Sequence, residues 1–178
     1  MSVTTINGET KLNEIKNLIK LASSCDGKAF GEFVREVIVP KNSQYRYNHI
    51  SIWFKNKNDA EKFAFKGKVH FNFLELEKNV YSLFHEHSHL IHVKVFVSKT
   101  LPVNDFDINC LTYYYEGNNF YLDREILTIK VDLLVKSIND KTMLMFYNYG
   151  KNLDDSKREK IALYVEKGWR VRYNGQLL

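Results

Sequence analysis

The sequence predicts an α+β fold, a mixed β-sheet with flanking helices, and three observations carry that expectation. Stretches with the 3.6-residue apolar period of a helix alternate with stretches that have the two-residue period or β-branched content of strands. The 178 residues are 44% hydrophobic and include 12 Phe and 11 Tyr against 2 Pro. That is enough apolar material for one core and too ordered a composition for a linker-rich chain. No apolar run approaches the ~20 residues of a membrane-spanning helix, and residues 1–11 have no apolar leader segment.

Residues 10–22 place Leu12, Ile15, Leu18, Ile19 and Ala22 on one helical face, and 23–27 read as a stop and turn. Residues 28–31 read as a short buried strand entering a turn. A short helix follows over 32–37 and ends before Pro40. The alternation over 49–54 predicts a strand, and Asn58 or Asp59 is a candidate cap for the helix after it. Residues 89–98 and 106–115 read as strands, Gly117-Asn118-Asn119 as a hairpin turn, and 120–122 as the returning strand. Helices are expected over 123–138 and over 154–167, the latter stopped by Gly168, with a short strand over 169–173. There is no internal repeat, so residues 1–178 read as one domain, with a distinct helical C-terminal part over 123–178.

The net charge of +5 is unevenly placed. Residues 41–68 carry seven basic side chains against Asp59 and Glu61, and 151–178 carry seven against four acids. Such a region is either the footprint of a polyanion, with Lys55, Lys57 and Lys62 as contacts, or a solvated lysine-rich surface. The expected partner is an RNA held weakly and electrostatically, or a protein, and not a membrane. Cys25 and Cys110 supply neither a disulfide framework nor a four-cysteine metal site, which suits a reducing, intracellular setting. Tyr113, Tyr114, Tyr115 and Tyr121 either offer stacking surface to a single strand or divide between core and cross-strand pairs.

Residues 28–39, with Gly31-Glu32-Phe33-Val34-Arg35 at their centre, resemble the opening motif of the nucleotidyltransferase superfamily. The nearest flavour is the Gly-Gly-x-Val-Arg-Asp type of CCA-adding enzymes and bacterial poly(A) polymerases. In that family a strand runs through a glycine turn into a helix, a second strand bears an Asp-x-Asp pair, and a later strand bears a third Asp. The corresponding strands here are 48–54 and 105–109, so the resemblance covers residues 10–115. It implies a nucleotidyltransferase-like fold with the strands at 49–54 and 106–115 side by side, and Ser51 and Asp107 on one face.

The family's chemistry places two divalent ions between the triphosphate and the attacking hydroxyl, held by hard carboxylate ligands. At the matching positions this chain has Glu32 for the second glycine and His49-x-Ser51 for the carboxylate pair. Only Asp107, or Asp105 in the alternative register, keeps a carboxylate. Gly31, Glu32, His49, Ser51 and Asp107 therefore read as a vestigial site, and the expectation is a binding or scaffolding protein with no catalytic residue, bound metal or cofactor. The alternative is a divergent transferase acting on nucleotides or RNA with Mg²⁺. Stand-alone domains rich in Asn, Lys and Tyr also resemble those of large DNA viruses.

One run remains. His85-Glu86-His87-Ser88-His89 fits the short His-Glu-x-x-His pattern, and as a helix it would put His85, His89 and His92 on one face. The following residues read as a strand, so a loop leading into a strand, without a zinc site, is expected. As a metal-dependent hydrolase the chain would depend on this run.

Overall fold

The computed structural model describes residues 8–40, 49–67, 71–77, 80–85, 92–101, 111–124, 131–145, 155–173 and 176–177. Helix α1 (Gly8–Ser23) precedes β1 (Lys28–Phe30), and a π-helical turn (Val34–Ile38) leads towards β2 (His49–Phe54). Then come α2 (Lys57–Gly67), the hairpin β3 (Phe71–Glu77) and β4 (Val80–His85), and β5 (His92–Val97). A second hairpin, β6 (Leu111–Glu116) and β7 (Asn119–Arg124), leads to α3 (Val131–Asn139) and β8 (Thr142–Met145). Helix α4 (Asp155–Glu166), β9 (Arg170–Tyr173) and β10 (Gln176–Leu177) follow.

Seven strands form one mixed sheet in the order β3-β4-β5-β2-β1-β6-β7, and three form a second in the order β10-β9-β8. Within the large sheet only β2 and β5 run parallel. Two-residue alternation gives that sheet two faces. Ala29, Ile52 and Tyr113 pair across β1, β2 and β6 and are buried, together with Ile50, Phe54, Val93 and Val95. Ile15, Leu18, Ile19 and Ala22 of α1 join the same core, as their spacing predicts. That core runs on through Leu134, Ile138, Met143, Tyr164, Trp169 and Val171, so both sheets share one apolar interior. The opposite face carries a smaller cluster of Phe30, Trp53 and Leu101, with Phe96 packed against it.

Local chemistry explains the boundaries. Asp26 takes a φ of 60° as α1 ends, and the Gly27 N–H donates back to the Ala22 carbonyl at 2.8 Å. Helix α2 is capped by Asn56, not by Asn58 or Asp59. Its Oδ1 accepts the Asp59 N–H at 2.9 Å while its Nδ2 donates to the Asp59 carboxylate at 2.8 Å. Gly117 and Asn118 both have positive φ, 53° and 78°, the geometry of a tight two-residue hairpin turn. Gly168, with φ 87°, stops α4 as expected.

The helix expected over 123–138 is described as α3 over Val131–Asn139 and does not include Asp123 or Arg124. Asp123 and Arg124 belong to β7, where Thr112 and Leu111 of β6 pair with them. The C-terminal part is not helical alone, since β8, β9 and β10 form their own sheet. The strands at 49–54 and 111–116 share a sheet but are not neighbours, because β1 lies between them. No helix among the described residues is long and apolar enough to cross a membrane.

Candidate functional site

Strand β1 organises two ends of the sheet. At its C-terminal end, Gly31 has φ 82°, and a Cβ there would meet nothing within 4 Å. Conformation, not crowding, therefore demands glycine at this turn. Glu32 enters the helical segment, and the Arg35 N–H donates to the Gly31 carbonyl at 3.1 Å. Phe30 pairs with Ser51 of β2, and Ser51 with Lys94 of β5. Paired positions project to one face, so Lys94, Ser51 and Phe30 form a row on the side away from α1. The Lys94 ammonium lies 5.2 Å from the Phe96 ring, and Phe96 meets Phe30 edge-on at 5.5 Å.

This row does not fit a two-ion centre. Mg²⁺ requires oxygen ligands and favours carboxylates. Here a hydroxyl stands between an ammonium and a phenyl ring. An ammonium ~8 Å from a divalent ion repels it by roughly 1 kcal/mol even in bulk water, and more beside the apolar Phe30–Trp53 cluster. His49 opens β2 in register with His92. Asp107 and Asp105 lie outside the described residues, as does Cys110. Cys25 is buried.

His85 closes β4 and His92 opens the antiparallel β5, so the i, i+4, i+7 spacing does not apply across them. His87 and His89 lie outside the described residues.

Arg35 is a residue whose role the sequence hid. It is only 3% exposed, and its guanidinium donates to the Tyr164 hydroxyl at 2.5 Å. The guanidinium carbon lies 4.8 Å from the Tyr164 ring centre and 5.8 Å from that of Trp169. These two rings meet edge-on at 6.1 Å. The segment behind the Gly31 turn is thus bolted to α4 and to Trp169 just before β9. A single arginine among Phe33, Val34 and Val37 was the available signal.

At the other end of β1 lies a cleft of about 510 Å³, lined by residues of three chain stretches: 23–28, 53–59 and 114–116. Trp53 and Tyr114 flank Lys28 across the sheet, and Lys28 pairs with Asp123 at 3.0 Å. Of the three lysines expected to contact a polyanion, Lys55 lines this cleft. Lys57 and Lys62 stand on α2, 3.8 Å from Glu61 and 3.9 Å from Asp59. The tyrosines divide between the faces. Tyr113 is buried against Phe120, and burial raises its phenol to about 12, whereas Tyr114 packs on Tyr121.

No family model matches this sequence. No curated protein matches it either. Among solved structures, a CCA-adding enzyme in complex with CTP is similar over 89% of this chain and 43% of its own, at 14% identity and a TM-score of 0.52. A tRNA-processing enzyme in an apo form is similar over 89% of this chain and 48% of its own, at 12% identity and a TM-score of 0.48. This chain spans less than half the length of either structure. On the likeness to the first of these, with its own mixed sheet and flanking helices, the chain has a nucleotidyltransferase-like fold.

Proposed function

We propose that this chain is a degenerate nucleotidyltransferase-like protein that binds or scaffolds a partner and does not transfer nucleotides. The observation that supports this most is the Lys94–Ser51–Phe30 row: Ser51, which matches a carboxylate position in the resembled motif, has an ammonium and an aromatic ring as its strand neighbours. Glu32 adds a carboxylate directly after the glycine turn, where triphosphate oxygens would have to approach. Asp107 alone does not hold two ions.

The partner is an RNA or a protein. Binding to RNA is weak and independent of sequence, carried by the basic excess over residues 41–68. Lys57 and Lys62 have carboxylates beside them, so they neutralise fewer phosphates than their number suggests.

Electron paramagnetic resonance of Mn²⁺ titrated with a nucleoside triphosphate tests the reading. The wild-type protein leaves the Mn²⁺–triphosphate signal unchanged at micromolar protein. Stoichiometric uptake that disappears in Asp107→Ala overturns the proposal in favour of a divergent metal-dependent enzyme.

A further inference from the structure

The small sheet has one face on the core and one face away from it. Its strands β8, β9 and β10 contain Arg170 and Arg172 and no acidic residue. Met143 and Val171 pair across β8 and β9, and both are buried in the shared apolar interior. Two-residue alternation therefore sends Arg170 and Arg172 to the opposite side, where both are exposed. We propose that this outer face is a second contact for RNA, on which the two guanidinium groups hold successive phosphates of a single strand. The proposal rests on the reading of RNA as the partner and adds a site outside residues 41–68.

The charges and their spacing favour a phosphodiester chain. Neither arginine makes an ion pair among the described residues, unlike Lys57 and Lys62. The acids nearest in sequence, Asp140 and Glu166, each stand beside a lysine, Lys141 and Lys167, so the two arginines remain in excess. Arg170 and Arg172 lie roughly 6.6 Å apart along one strand, at ~3.3 Å per residue. A polymer with an anion on every unit suits that repeat, whereas a peptide would need acidic side chains in the same register. A planar guanidinium also offers two parallel N–H donors to two phosphate oxygens, which an ammonium does not.

A polar group without a partner lies beside them. Thr142 pairs with Arg170 in the parallel register and shares its face. It is only 7% exposed, yet its hydroxyl has no hydrogen-bond partner among the described residues. A hydroxyl so placed gains from an acceptor, and a phosphate oxygen held by Arg170 supplies one. The Lys141 carbonyl accepts the Arg170 N–H at 2.8 Å, which fixes the start of β9 against β8 and sets the exposed Lys141 at the end of the row.

Fluorescence anisotropy of a labelled oligouridylate, titrated with the full chain at several salt concentrations, tests the site. Arg170→Gln with Arg172→Gln weakens binding about tenfold at low salt and lowers the slope of log K against log salt by about 1.4, at ~0.7 per lost phosphate contact. Thr142→Val weakens it about threefold and leaves the slope unchanged. Both arginines are exposed, so the double variant keeps the urea midpoint of the wild type.

Unchanged affinity and slope in the double variant overturn this site alone, provided that Lys55, Lys57 and Lys62 changed together to Glu still weaken binding. No binding by the wild-type chain at low salt overturns the RNA reading and this site with it. Polyglutamate that displaces the RNA better than unlabelled oligouridylate, at equal charge, assigns the face to an acidic protein and also overturns the proposal.

Discussion

Replacing Arg35 with alanine tests how the segment behind the Gly31 turn is held. The side chain is 3% exposed, donates to the Tyr164 hydroxyl, and faces the rings of Tyr164 and Trp169. A hydrogen bond from a charged donor contributes about 1.5–3 kcal/mol, and a desolvated cation–π contact about 2 kcal/mol. The contacts share one guanidinium and do not add in full, so the expected loss is about 2–3 kcal/mol. That is a large part of the ~5–15 kcal/mol that holds a typical domain. Arg35→Met keeps most of the volume and removes a buried charge, and costs less, about 1–2 kcal/mol. Urea denaturation followed by tryptophan fluorescence measures both, since Trp169 is one of only 2 tryptophans. A double-mutant cycle with Tyr164→Phe isolates the contact, with an expected coupling of about 1 kcal/mol or more. A loss below about 1 kcal/mol in Arg35→Ala, or additivity within about 0.3 kcal/mol, would refute the reasoning.

Three further outcomes are expected. Gly31→Ala loses about 1–2 kcal/mol, because φ 82° strains an L-residue even in open space; no loss in denaturant titration contradicts the turn geometry. Gly27→Ala is destabilised for a different reason, a Cβ 2.5 Å from the Phe54 ring, and a larger residue at position 27 that leaves the urea midpoint unchanged contradicts that approach. Tyr113 ionises at 10.0 when unfolded and at about 12 in the fold, so its contribution to stability is complete below pH 10 and is lost as the pH rises towards 12. Tyr113→Phe should flatten that decline, and an unchanged pH profile counts against the assignment.

What the sequence showed depended on how local each signal was. The stripe of Ile15, Leu18, Ile19 and Ala22 needs only helical spacing, and Gly117-Asn118 needs only its own dihedral angles, so both were legible. The sequence left the β3–β4 hairpin unassigned, although Phe71 and Phe73 have the strand period. Leu74 and Leu76 break that alternation, because they follow Phe73 in the opposite phase. Asp123 and Arg124 read as helix because their place in β7 comes from pairing with Thr112 and Leu111, which local propensity does not report. At the candidate centre, His49 and Ser51 at the positions that match the Asp-x-Asp pair were visible in the letters. The ammonium of Lys94 beside Ser51 was not, since it depends on the parallel register of β2 and β5. The cleft was hidden for the same reason, because the sheet order brings its three stretches together.

RNA binding of the proposed kind has its own signature. Each phosphate contact on a single strand contributes a slope of about −0.7 to log K against log salt. Binding seen at low salt should fade by physiological salt, and changing Lys55, Lys57 and Lys62 together to Glu should weaken it equally for unrelated sequences. Tight binding at high salt, or a strong preference for one sequence, contradicts an electrostatic contact.

Nucleotidyl transfer itself is the most direct measurement. The full chain is incubated with each labelled nucleoside triphosphate, with Mg²⁺ or Mn²⁺, and with RNA primers that include tRNA lacking its 3′ end. No incorporation above a protein-free control is the outcome expected of a centre built from Lys94, Ser51 and Phe30. Robust incorporation that vanishes in Asp107→Ala would contradict it and make this chain a working transferase.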